Sequence, residues 1–144
     1  MTDCPFCAIA QKSVDAVIIW EDSDIVAFLN KCPIREGHCQ IIPKKHIETF
    51  EEMPSDIAGK IIELGQRLAR KMKTVYSVDR VAFLFTGGDV AHTHAHVIPM
   101  HEKSDITSAR YIVNANDIQF DSAHLQVKKE VLINTSTKLQ LNIE

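Results

Sequence analysis

Apolar and polar residues alternate over most of the first hundred positions in short runs, and the changes of period mark the elements. Val17-Ile18-Ile19-Trp20 and Ile25-Val26-Ala27-Phe28-Leu29, divided by the polar Glu21-Asp22-Ser23-Asp24, predict two strands of a hairpin. Cys39-Gln40-Ile41-Ile42 predicts a third strand, opened by His38, and the Asn30 to His38 stretch with Pro33 and Gly37 predicts an ordered loop. From Ser55 the period lengthens: Ile57, Ile61, Leu64, Leu68, Met72 and Val75 recur at helical spacing and predict one long amphipathic helix. Gly59 and Gly65 weaken it by about 1 kcal/mol each relative to alanine. Arg80 to Phe85 predicts a fourth strand, Thr86-Gly87-Gly88-Asp89 a turn, and His92 to Met100 a fifth. Beyond His101 the pattern fades. Asp121 to Val131 reads as a short helix, and Thr135 to Glu144 is polar and without a clear period. The expected fold class is α+β, with a mostly antiparallel five-stranded sheet, one long helix and a shorter second one.

Composition narrows the class. At 144 residues, 45% hydrophobic and 24% charged, the chain reads as one domain with its own core over 1–144. A net charge of -3 gives no general attraction to nucleic acid or to an anionic membrane, and no run of eighteen apolar residues or leader-like start is present. A cytoplasmic location is expected. Cys4, Cys7, Cys32 and Cys39 are irregularly spaced among seven histidines, which favours metal binding over a disulfide framework.

The chemistry concentrates in His92-Thr93-His94-Ala95-His96. On a strand, residues two apart share a face, so all three imidazoles are expected on one side. Such a row could hold a catalytic metal or form a nucleophile with its helpers. Imidazole is largely unprotonated near neutral pH and nucleophilic, and the phosphoramidate it forms on phosphorus is reactive enough to be cleaved again.

His92-x-His94-x-His96, two apolar residues and Pro99 resemble the signature of the histidine triad (HIT) family of nucleotide hydrolases and transferases. Phe28-Leu29-Asn30-x-x-Pro33-x-x-x-Gly37-His38 and Ile42-Pro43-Lys44-Lys45-His46 are similar to that family's strand, loop and strand, so the likeness spans about Cys4 to Pro99. The resemblance implies that His94 attacks the α-phosphorus to give a nucleotidyl-histidine, with His96 and His38 on the phosphate oxygens. It implies that a backbone carbonyl holds one His94 ring nitrogen so that the other faces phosphorus. Asn30 would meet the ribose, and Phe6, Ile9 and Phe28 would line the base pocket, where the alternative for each is a plain core residue. The implied substrates are purine nucleotides, adenosine 5'-phosphate derivatives above all, split as phosphoramidates or dinucleoside polyphosphates. No catalytic metal is required, and a homodimer is expected.

The chain departs from the family pattern before the triad. Gly87-Gly88-Asp89-Val90-Ala91 stands where a Gly-Gln pair and a Ser or Thr are common, and Met100 replaces an Arg. Asp89 is a turn residue by type and an acid for the leaving group by position. Cys4-x-x-Cys7 with His46 and His92 matches the structural zinc site of some relatives of bacterial type, a closed Cys2His2 set. Two other readings stay open: a nucleotide-binding module without turnover, and a glutaredoxin-like redox protein through Cys4-Pro5-Phe6-Cys7. The latter needs a strand ahead of the first cysteine, and only three residues precede it.

Overall fold

The computed structural model describes residues 3–106 and 121–141. Five strands, β1 (Ile18–Glu21), β2 (Ile25–Leu29), β3 (Cys39–Pro43), β4 (Arg80–Thr86) and β5 (His94–Met100), form one sheet in the order β1-β2-β3-β5-β4. Every neighbouring pair is antiparallel. Among the described residues three α-helices join the sheet: α1 (Pro5–Ala10), α2 (Ser55–Tyr76) and α3 (Lys129–Lys138). The expected α+β class holds.

The sheet has two differently used faces. On one, Ile61, Leu64, Leu68 and Met72 of α2 pack against Ala27, Leu29, Cys39, Ile41, Ala95 and Val97, all buried. Each large aliphatic removed from water there contributes about 1.5–3 kcal/mol. Gly65 explains itself in this packing: a Cβ at that position would lie 2.4 Å from the Phe83 ring, so α2 approaches the sheet only because the side chain is missing. The other face carries Val26, Phe28 and Ile42 under Phe6 of α1, and the histidines stand beside them.

Three elements differ from the sequence reading. First, β5 begins at His94, so His92 and Thr93 precede the strand. The Thr93 N–H bonds the Ile47 carbonyl and the His92 N–H bonds that of Val90, and this local turn takes both residues off the ladder. Second, α1 was not anticipated, although Pro5 at its first position is a common start. Third, the C-terminal helix is not Asp121 to Val131 but Lys129–Lys138, preceded by a single turn at Ala123–Leu125. Donation of the Val127 N–H to the Lys31 carbonyl holds that stretch extended. Leu132 and Leu139 are buried, while the intervening Ile133 is exposed and Thr135, Ser136 and Thr137 bond back to helix carbonyls, which blurs the period. Residues 107–120 and 142–144 of the expected C-terminal extension lie outside the described residues.

Candidate functional site

Two groups of side chains meet at the start of β5. In the first, antiparallel pairing sets Thr86 opposite His94 and Gln40 opposite His96. Side chains of paired residues share a face, so His94, His96, Thr86 and Gln40 converge there, and His38 reaches in from the loop end before β3. Gly37, at φ +95°, makes the turn that delivers His38; a Cβ there would also meet the Tyr76 ring at 2.6 Å.

The hydrogen bonds leave one consistent arrangement of protons. The Ile34 N–H donates to His38 Nδ1 at 3.1 Å, so neutral His38 carries its proton on Nε2 and donates it to His96 Nδ1 at 2.8 Å. His96 then donates from Nε2 to Thr86 Oγ1 at 3.0 Å, and the Thr86 hydroxyl donates to His94 Nε2 at 2.8 Å. His94 Nδ1–H closes the series on the His92 carbonyl at 2.8 Å. The series requires neutral rings, and burial favours them: it pushes His38 well below the usual histidine range, His96 down to about 4, and His94 down as well. His94 thus has one nitrogen anchored by a carbonyl and the other, with its lone pair, turned to the Thr86 hydroxyl. Phe6 meets the His94 ring edge-on at 4.9 Å between centroids.

Beside this row lies a cavity of about 620 Å³. Phe6, Ile9 and Phe28 form its apolar wall, Asn30 stands at its rim, and Gln126, Val127 and Lys129 of the C-terminal segment close it. Asn30 Oδ1 is already engaged by the Cys32 N–H, which leaves its amide N–H group for a ligand. Asp89 is not among these lining residues; it borders an adjoining hollow with Asp3, Cys4 and His46, where its charge still favours the protonated form of His94.

The second group is Cys4, Cys7, His46 and His92, whose ligating atoms lie within 4.8 Å of one another. Cys4 Sγ is 3.4 Å and Cys7 Sγ 3.6 Å from His92 Nδ1, and Cys7 Sγ is 3.3 Å from His46 Nδ1. A tetrahedron with Zn–S of about 2.3 Å and Zn–N of about 2.0–2.1 Å has a sulfur-to-nitrogen edge of roughly 3.5 Å, so the donor set fits zinc in both chemistry and spacing. His92 Nε2 donates to the Pro43 carbonyl at 2.9 Å, which turns Nδ1 towards the sulfurs, an orienting bond usual for metal-bound histidine. Cys4 also caps α1, its sulfur accepting the Cys7 N–H. The four expected ligands therefore come together, and both thiols face imidazoles rather than standing free for exchange chemistry.

Thr86 and Gln40 escaped the sequence reading. By type Thr86 belongs with the Gly-rich turn that follows it, and only its pairing with His94 shows what it touches. Gln40 looked like one residue of a strand.

The HIT domain model matches residues 11–103. A HIT-like protein from Methanocaldococcus jannaschii, itself uncharacterized, is 33% identical over 103 residues, 69% of this chain and 80% of that protein. An adenylylsulfatase from Arabidopsis thaliana is 29% identical over 106 residues, 70% of this chain and 54% of that protein. Among solved structures, a zinc-bound histidine triad family protein from Mycobacterium smegmatis superposes with a TM-score of 0.67 at 24% identity, covering 95% of both chains.

Proposed function

The chain belongs to the HIT domain family, and we propose that it is a nucleotide hydrolase or nucleotidyl transferase that works at the α-phosphate through His94. One observation carries the reading: His94 is locked by its Nδ1–H bond to a carbonyl, its Nε2 lone pair is held only by the Thr86 hydroxyl, and its ring packs on Phe6, a wall of a cavity of about 620 Å³. The name of the Arabidopsis relative, adenylylsulfatase, fits a substrate of this class.

In the proposed reaction the Thr86 hydroxyl turns away from His94 Nε2, whose lone pair attacks the α-phosphorus. The N–P bond forms as the bond to the leaving group breaks, the electron pair departing with that group. Water then attacks the same phosphorus, the N–P bond breaks, and the nucleoside monophosphate leaves; an acceptor other than water gives transfer instead. His96 Nε2–H and the released Thr86 hydroxyl are placed to donate to the phosphoryl oxygens, whose charge grows in the transition state. His38 holds His96 in the donating tautomer. Phe6, Ile9 and Phe28 take the base and Asn30 the ribose. Prior alignment of nucleophile and phosphorus supplies up to about 7–11 kcal/mol of the barrier reduction.

Cys4, Cys7, His46 and His92 would hold a zinc ion, which neutralises the thiolates and joins α1 to the turn before β5; the closed ligand set leaves it a structural part. A homodimer is proposed through α2, where Ile62 is exposed, and the edge strand β4, whose Phe85 carries the exposed Phe50 ring against it. No helix among the described residues is long and apolar enough to cross a membrane, in keeping with the proposed cytoplasmic setting.

Turnover of adenosine 5'-phosphoramidate tests the assignment. Release of AMP that disappears in His94→Ala supports it. Tight AMP binding without release would favour a binding module, and robust dithiol exchange without cleavage a redox protein.

A further inference from the structure

We infer that Gln40 reads the purine base, supplying the polar contact that an otherwise apolar pocket lacks. This rests on the nucleotide reading given above. Gln40 is 8% exposed, yet it lines the 620 Å³ cavity. Its backbone is committed to β3, between Phe28 of β2 and His96 of β5, so what it presents to the cavity is the side-chain amide. Among the described residues no protein group bonds that amide. The other polar residues of the lining, Asp15, Asn30, Lys31, Gln126 and Lys129, are exposed or half-exposed at the rim.

An amide set in a mostly apolar cavity wall, reached only by water, is matched by a ligand that carries the complementary donor and acceptor. The amide offers a donor and an acceptor side by side, and rotation about its terminal bond exchanges their order. A base edge carrying an exocyclic amino group next to a ring nitrogen is its complement, the pairing by which Gln recognises adenine in nucleic acids. Position selects the base over the sugar. Gln40 Cβ lies about 4.5–5.5 Å from those of Phe28 and His96 by strand pairing, so the amide opens between the aromatic wall and the phosphate-facing histidine. Asn30, at the mouth of the cavity, is left for the ribose.

The test is calorimetric titration of the full chain and of Gln40→Met with AMP and with purine riboside 5'-monophosphate, which lacks only the 6-amino group. The native chain should prefer AMP by at least about tenfold, as expected when a built polar contact is lost. In Gln40→Met the two ligands should bind within about twofold of each other, because a methionine of the same length makes no hydrogen bond. Gln40→Leu, judged folded by its circular dichroism and melting curve, repeats the test with a different shape. Unchanged preference in a folded variant overturns the assignment while leaving the nucleotide reading intact. So does a loss in Gln40→Met that falls equally on AMP and the analogue but disappears when 2'-deoxy-AMP is the ligand, since that points to the sugar. Failure of the native chain to bind any of these nucleotides overturns the nucleotide reading and the Gln40 assignment together.

Discussion

Thr86 and His94 are joined side chain to side chain across the β4–β5 ladder, the Thr86 hydroxyl donating to His94 Nε2 at 2.8 Å while also accepting from His96. A single hydroxyl thus connects the proposed nucleophile with its neighbour.

Removing that hydroxyl is the first expectation to check. Thr86→Val keeps the shape and deletes both bonds, leaving the His96 donor unpaired; a loss of about 1–3 kcal/mol in transition-state stabilisation corresponds to a fall in kcat/KM of roughly 5- to 150-fold. Thr86→Ser restores the hydroxyl and should recover most of the rate. Steady-state kinetics on adenosine 5'-phosphoramidate decides between this and a role in packing alone, for which Val would be the better substitute.

The buried histidines make stability depend on pH in a definite direction. Histidines of the unfolded chain titrate near 6.5, whereas burial holds His96 near 4 and lowers His38 well below the usual range. As pH falls below about 6.5 the unfolded state takes up protons first, so stability is complete above that value and declines towards pH 4. His96 alone accounts for a change of order 2–3 kcal/mol. Melting temperatures recorded between pH 7.5 and 4.5 should fall steadily, and a flat profile would count against neutral, buried rings.

Zinc removal should act on the scaffold before the chemistry. Chelation or Cys7→Ser takes away the joint between α1 and the turn carrying His92, so the melting temperature drops and amides of α1 exchange faster. Phe6 rides on α1, so nucleotide affinity weakens as well. Native mass spectrometry should show one zinc per chain, absent after Cys7→Ser.

Gly65→Ala opposes two effects of known size. Alanine favours the helix by about 1 kcal/mol, but its methyl would press on the Phe83 ring at 2.4 Å, and forcing atoms into a packed core costs typically 1–3 kcal/mol. The variant should be less stable than the parent in urea melts, while Gly59→Ala, with open space around it, should be more stable.

How far the sequence could be read follows from where the information lies. The α2 stripe and strands β2 and β3 were legible because each buries a whole face or run, which imposes a period on the residues. His94, His96, His38 and the Cys2His2 quartet were legible because their spacing matches a family pattern. His92 was placed on the wrong element: the alternation His-x-His-x-His satisfies a strand, and only the bonds of His92 and Thr93 to Val90 and Ile47 break it. Short α1 and α3 lacked enough turns to declare a period. Thr86 and Gln40 take their meaning from partners on other strands, Thr86 from His94 and Gln40 from Phe28 and His96, and no local pattern records such a pairing.

Intact-protein mass spectrometry, after mixing the chain with adenosine 5'-phosphoramidate and quenching within the first turnover, tests the central proposal most directly. The account expects a fraction of the protein to gain the mass of one adenylyl group, mapped by peptide digestion to His94 and absent in His94→Ala. Full release of AMP with no adduct, and with His94→Ala as active as the parent, would contradict it.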